Sequence, residues 1–115
     1  MEGIFENIAV KDAIEMVYEE KALLFDVRDQ ESYNQGHLPM SEWLNLEKMQ
    51  KKEITLEKDI PVILYCDHGS VSLMVARWLA KQGYTAYSIV GGYAFYQGYI
   101  EKQREEDSIW TMELK

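Results

Sequence analysis

The chain has one cysteine among 115 residues, two prolines, and twelve basic side chains against twenty acidic ones. A single cysteine excludes an intramolecular disulfide and suits a reducing compartment. The formal net charge of −8 excludes the broad basic face that nucleic acid requires, so no nucleic-acid partner is expected. It also opposes long-range capture of small anions, so any anion bound here needs local donors. No apolar run approaches the ~20 residues that span a bilayer. The acidic start Met1-Glu2-Gly3-Ile4-Phe5-Glu6 lacks the basic-then-apolar order of a secretory leader. The expectation is a soluble, cytoplasmic protein with no membrane partner. The two histidines, His37 and His68, have no paired spacing with the lone cysteine, so no metal is expected.

What is present suffices for a core. Hydrophobic residues make up 47% of the chain, too many for a disordered polypeptide, and the length fits one domain spanning residues 1–115. Val10, Ala13, Ile14 and Val17 recur at helix spacing and predict a helix from Val10 to about Glu20, with Ala9 a weak start signal. The run Ala22–Val27 reads as a buried strand, Asp29–Gly36 as a short helix or turn, and Trp43–Leu46 as a short strand. Lys48–Asp59 is charged surface. Pro61–Tyr65 is a second buried strand. Val71, Met74, Val75, Trp78 and Leu79 predict the buried face of a helix that stops near Gly83. Thr85–Val90 is a further strand, closed by Gly91-Gly92, and Tyr93, Tyr96, Tyr99 and Ile100 are again helix-spaced. The charged tail after Lys102 contains Ile109 and Trp110, which could dock on the body or mediate self-association. Strands alternating with helices predict an α/β fold with a mainly parallel sheet covered on both faces. In such sheets ligands bind beyond the carboxyl ends of the strands.

Cys66 falls at that edge. It follows the Pro61–Tyr65 strand and precedes the short polar stretch Asp67-His68-Gly69-Ser70-Val71-Ser72. A thiol on a turn entering a helix faces backbone N–H groups and the positive end of a helix dipole. That environment favours the thiolate, the nucleophilic form. A cysteine after a strand can also be a small buried hydrophobe; the polar turn, the glycine and the following helix favour the reactive reading.

Four segments in order carry a resemblance. They are Leu24-Phe25-Asp26-Val27-Arg28-Asp29, then Glu31-Ser32-Tyr33 with Gly36-His37-Leu38-Pro39, then Val62–Cys66 with Gly69 and Ser72, then Gly83-Tyr84 with Val90-Gly91-Gly92-Tyr93. Together they resemble the signature of the rhodanese family over about residues 5–102. The resemblance implies a three-layer α/β domain with a central five-stranded, mainly parallel sheet flanked by helices. It implies sulfurtransferase or sulfur-carrier chemistry through a persulfide on Cys66, with no metal or organic cofactor. A small sulfur donor, a thiol or cyanide acceptor, and a partner protein's persulfide are the implied partners.

Such chemistry suits these residues. A persulfide anion on Cys66 would meet the backbone N–H groups of residues 67–72, which form a nest opening onto the helix. Gly69 lets the loop curl. Ser72 fits equally a hydroxyl donor to the persulfide and an ordinary polar residue of the first helical turn. His68 fits a hydrogen-bonding partner or a solvent-exposed loop residue. Asp26 and Arg28 read as a charge-assisted pair bracing neighbouring loops, and His37 as a hydrogen-bonded imidazole in a turn.

The loop departs from the family pattern in its charge. Many thiosulfate-using members carry a basic residue there; this chain has Asp67 and Val71, and no lysine or arginine between Cys66 and Arg77. Asp67 opposes thiolate formation and dianion binding, so weak thiosulfate turnover is expected, with an organic persulfide or a protein persulfide the better donor. A non-catalytic binding or regulatory module is the alternative function. A cysteine phosphatase is disfavoured, because the Cys-x5-Arg pattern that clamps phosphate has Ser72 where the arginine belongs.

Overall fold

The computed structural model describes residues 2–98 and 100. Five parallel strands form one sheet in the order β1-β5-β4-β2-β3. In chain order the elements are β1 (Ile4–Ile8), α1 (Val10–Glu19), β2 (Leu23–Asp26), α2 (Gln30–Gln35), β3 (Glu42–Trp43), α3 (Leu46–Gln50), β4 (Val62–Tyr65), α4 (Ser70–Ala80) and β5 (Thr85–Ile89). Residues 92–98 form a further helical segment.

The two central strands are apolar on both faces because both faces are covered. Side chains alternate between two cores. Phe25, Val62, Leu64 and Ala86 face α3 and α4, where they meet Met49, Ala76 and Leu79. Leu24, Ile63, Tyr65 and Ile89 face α1 and the last helical segment, where they meet Val10, Ala13, Tyr93 and Tyr96. Removing the buried side chain of Leu79 would cost about 2–5 kcal/mol.

Three expectations need correction. The apolar residues of α4 divide: Leu79 is buried and Val75 packs partly against the core, but Val71, Met74 and Trp78 are 46%, 71% and 37% exposed. The buried face consists of Ser72, Ala76, Leu79 and Ala80. Three small residues spaced four apart let the helix lie close on the sheet, whereas spacing alone reveals an apolar stripe without saying which side it faces. Val71, Met74 and Trp78 join Leu46, Met49, Gln50 and Val75 around an apolar groove of about 280 Å³. Secondly, the strand read over Trp43–Leu46 is only Glu42–Trp43. Asn45 caps the short helix α3, its side chain accepting from the Lys48 N–H at 3.1 Å. Thirdly, β1 had no counterpart in the sequence reading. It is an edge strand whose residues are mostly exposed, so no buried face marks it, and its register comes from β5. Ala9 does begin α1 without a side-chain cap. Tyr99 and the Ile109-Trp110 segment lie outside the described residues.

The register places the site. Asp26 pairs with Tyr65 across β2 and β4, and the Val27 N–H donates to the Tyr65 carbonyl at 2.9 Å. Arg28 and Cys66 therefore leave the carboxyl edge of the sheet from adjacent strands, where open α/β sheets hold their ligands.

Candidate active site

Cys66 is 4% exposed, and its sulfur caps a helix. Gly69, the residue at the start of α4, has a left-handed φ of 106° and no side chain with which to cap. The orphan N–H groups of the first turn turn to the cysteine instead. Gly69 N–H donates to Sγ at 3.1 Å and Ser72 N–H at 3.4 Å. The Ser72 hydroxyl lies 3.5 Å from the same sulfur. Burial pushes the Cys66 thiol up, but the Ser72 hydroxyl and the N–H groups of Ser72, Gly69 and His68 outweigh it, and the net shift is downward. The loop thus stabilises a sulfur anion through N–H and O–H donors, with no cationic side chain among the described residues hydrogen-bonded to it.

A hydroxyl pair lies behind the sulfur. Ser72 Oγ is 2.7 Å from Ser88 Oγ, and both hydroxyls reach the Gly69 carbonyl, at 3.2 and 3.4 Å. Ser88 lies inside the expected strand Thr85–Val90 and is a site residue that the sequence analysis does not single out. The available signal was a serine between Tyr87 and Ile89 in a predicted strand, two residues after Ala86 and so on the same face of the sheet.

The loop is fastened from the other side by the last helical segment. Tyr93 N–H donates to the Cys66 carbonyl at 2.9 Å, and Ala94 N–H to the Asp67 carbonyl at 3.1 Å. Gly92, at φ 60°, lies so close beneath that a Cβ there would collide with both carbonyls.

Arg28 organises the neighbouring wall. It grips Asp26, with Nε at 3.1 and 3.0 Å from the two carboxylate oxygens and Nη2 at 2.7 Å, and Nη2 also donates to the Gly36 carbonyl at 2.6 Å. Its guanidinium lies 4.3 Å from the ring centre of Tyr93, a favourable cation–π arrangement. Burial works against the charge on Arg28, yet the pairing with Asp26 outweighs it and raises its pKa. Asp26 is fully buried, and it also accepts the Arg28 backbone N–H at 2.8 Å.

Two adjoining clefts open at the edge of the sheet. One, of about 230 Å³, is lined by Val27, Arg28, Cys66, Asp67, His68, Ser70 and Val71. The other, of about 400 Å³, shares Arg28, Asp67 and His68 with it and adds the polar side chains Ser32, Gln35, Tyr93 and Gln97. Cys66, Asp67, His68, Gly69, Ser70, Val71 and Ser72 are thus brought together: the N–H groups of 68, 69 and 72 face the sulfur, and the side chains of 67, 68, 70 and 71 face the clefts. His37 is not brought in. It stacks on Tyr33 at 4.0 Å and donates through Nδ1 to the Tyr33 carbonyl at 2.9 Å, which fixes its tautomer. Trp43 donates to the Arg28 carbonyl at 2.8 Å and lines neither cleft. Among the described residues no three His, Cys, Asp or Glu side chains come together to hold a metal, and no helix is long and apolar enough to cross a membrane.

Known proteins resemble this chain in sequence and fold. The family model for the rhodanese-like domain matches residues 9–98. A thiosulfate sulfurtransferase GlpE from Coxiella burnetii is 35% identical over 91 residues, covering 78% of this chain and 85% of its own. Among solved structures, a rhodanese homologue from the extremely thermophilic bacterium Thermus thermophilus is 33% identical, with a TM-score of 0.57 over 80% of this chain and 96% of its own. A rhodanese-like domain protein from Staphylococcus aureus, 22% identical, shares the fold with a TM-score of 0.66 over 76% of this chain and 86% of its own.

Proposed function

The chain belongs to the rhodanese-like domain family, and from that premise we propose that it is a sulfurtransferase that carries sulfane sulfur as a persulfide on Cys66. The sulfur's position as the acceptor for the first turn of α4 is the observation that carries this assignment. A thiolate that is already hydrogen-bonded can attack without first recruiting donors.

The chemistry is two displacements on sulfur. The Cys66 thiolate attacks the outer sulfur of a donor persulfide, R–S–S⁻; a Cys66 S–S bond forms, the donor S–S bond breaks, and R–S⁻ departs. A nucleophile then attacks the outer sulfur of Cys66–S–S⁻ and leaves with it, restoring the thiolate. Cyanide leaves as thiocyanate, and a thiolate leaves as a new persulfide. No external oxidant or reductant is needed. The N–H groups of His68, Gly69 and Ser72 and the Ser72 hydroxyl hold the negative charge in turn.

The donor we favour carries less negative charge at its reacting group than thiosulfate does. Asp67 is exposed at the mouth of both clefts, and Arg28, the cation in their lining, is already paired with Asp26. A dianion such as thiosulfate meets net repulsion there, whereas an organic persulfide or a partner protein's persulfide meets less.

Steady-state transfer to cyanide, from glutathione persulfide and separately from thiosulfate, tests the proposal. Parallel double-reciprocal lines, the sign of ping-pong kinetics, are expected with the persulfide, and activity should be lost in Cys66→Ser. Transfer that persists in Cys66→Ser would overturn the assignment. A folded protein that moves sulfur from neither donor would be a binding module instead.

A further inference from the structure

Ser88 is fully buried within β5, and the Ser72 hydroxyl connects it to the reactive sulfur. We propose that Ser88 is a positioning residue for that sulfur: by donating its own hydroxyl proton to Ser72 Oγ, it turns the single hydroxyl proton of Ser72 toward the sulfur whenever the sulfur is anionic.

The number of protons decides the arrangement. Ser72 has one hydroxyl proton and three acceptors within reach: the Gly69 carbonyl at 3.2 Å, Ser88 Oγ at 2.7 Å and Cys66 Sγ at 3.5 Å. While Cys66 is a thiol, its own S–H points to Ser72 Oγ, and Ser72 donates to the Gly69 carbonyl. Once the sulfur is a thiolate or a persulfide anion, that S–H is gone and Ser72 must turn to supply a proton. Its oxygen then needs a donor, and the Gly69 carbonyl loses one. The Leu73 N–H, at 3.2 Å, keeps the carbonyl satisfied. Ser88, whose hydroxyl reaches Ser72 Oγ at 2.7 Å and the Gly69 carbonyl only at 3.4 Å, supplies the donor to Ser72. The result is a chain running Ser88 to Ser72 to sulfur, in which each bond polarises the next and the last ends on a charge. No water is needed to complete it.

This inference rests on Cys66 being the reacting group, but its test requires no sulfur transfer. The rate of Cys66 alkylation by iodoacetamide is followed against pH, with folding checked by circular dichroism. Ser88→Ala is expected to raise the midpoint by roughly half to one pH unit, the worth of one hydrogen bond between neutral groups. Ser88→Thr, which keeps the hydroxyl, should stay close to the parent protein. Ser72→Ala should shift the midpoint at least as far as Ser88→Ala, and adding Ser88→Ala to it should shift it no further, because Ser88 acts through Ser72. If Ser88→Ala does not fold, Ser88→Cys, read peptide by peptide, replaces it and should also raise the midpoint. An unchanged midpoint in a folded Ser88→Ala protein, or additive shifts in the double variant, would overturn the inference. If Cys66 never accepts sulfur yet its midpoint still moves with Ser88, the proposed function fails and this inference stands.

Discussion

Arg28 holds the buried Asp26 with two nitrogens while its third, Nη1, reaches the exposed Asp67 at 3.6 Å. One guanidinium thus lies between two carboxylates of opposite exposure, 0% for the Asp26 side chain and 67% for Asp67. The three groups together carry one net negative charge at the mouth of the clefts, and solvent screens the Asp67 end of it.

Asp67→Asn should therefore favour anionic donors. Loading from thiosulfate is expected to rise about five- to tenfold at low ionic strength, with a smaller gain from a less charged organic persulfide. The gain should shrink as salt is added. Rates measured with both donors at two salt concentrations check this. Equal gains that ignore salt would mean that Asp67 acts through loop shape and not through charge.

Removing the cation has a structural cost. Arg28→Ala leaves Asp26 buried without its partner, and breaking a buried pair from one side costs about 3–5 kcal/mol. Arg28→Lys keeps the charge but lacks the flat fork that engages both carboxylate oxygens and the Gly36 carbonyl, so an intermediate loss is expected. Urea unfolding of the two variants orders them. A loss below about 1 kcal/mol in Arg28→Ala would show that Asp26 finds another donor.

The lowered pKa of Cys66 sets the pH dependence. Alkylation and sulfur loading should rise with pH and level off below the range of an ordinary thiol, about 8.5. Between the folded and ordinary values the unfolded chain binds more protons, so stability rises with pH across that window. The contribution is fully present above the ordinary thiol value and is lost as pH falls through the folded one. Cys66→Ser should remove this dependence. Comparing the urea midpoints of the two proteins across the window reads it directly, and parallel curves would contradict it.

The sequence was most informative where burial is continuous. Leu23–Asp26 and Val62–Tyr65 are strands covered on both faces, and their apolar runs are visible without a fold in hand. The polar turn after Cys66 was visible for the same reason, since it interrupts such a run. Edges and directions were not visible. β1 gains its identity from hydrogen bonds to β5 and not from a buried face of its own. The outward turn of Val71, Met74 and Trp78 depends on how close Ala76 and Ala80 let α4 approach the sheet, which is a tertiary property. At the site, Cys66 and its loop were legible as chain neighbours. The role of Ser88 and the contact of Tyr93 with the loop were not, because both residues come from segments that meet the loop only after the sheet has formed. The Arg28–Asp67 contact is of the same kind, joining the ends of two strands that are adjacent in space only.

Persulfide formation on Cys66 is tested most directly by the mass of the reduced protein after incubation with glutathione persulfide, with the modified peptide identified. The expected result is a gain of one sulfur atom, located on Cys66, removed by cyanide and absent from Cys66→Ser. An unchanged mass in a protein whose Cys66 remains open to alkylation would contradict sulfur transfer through this thiol.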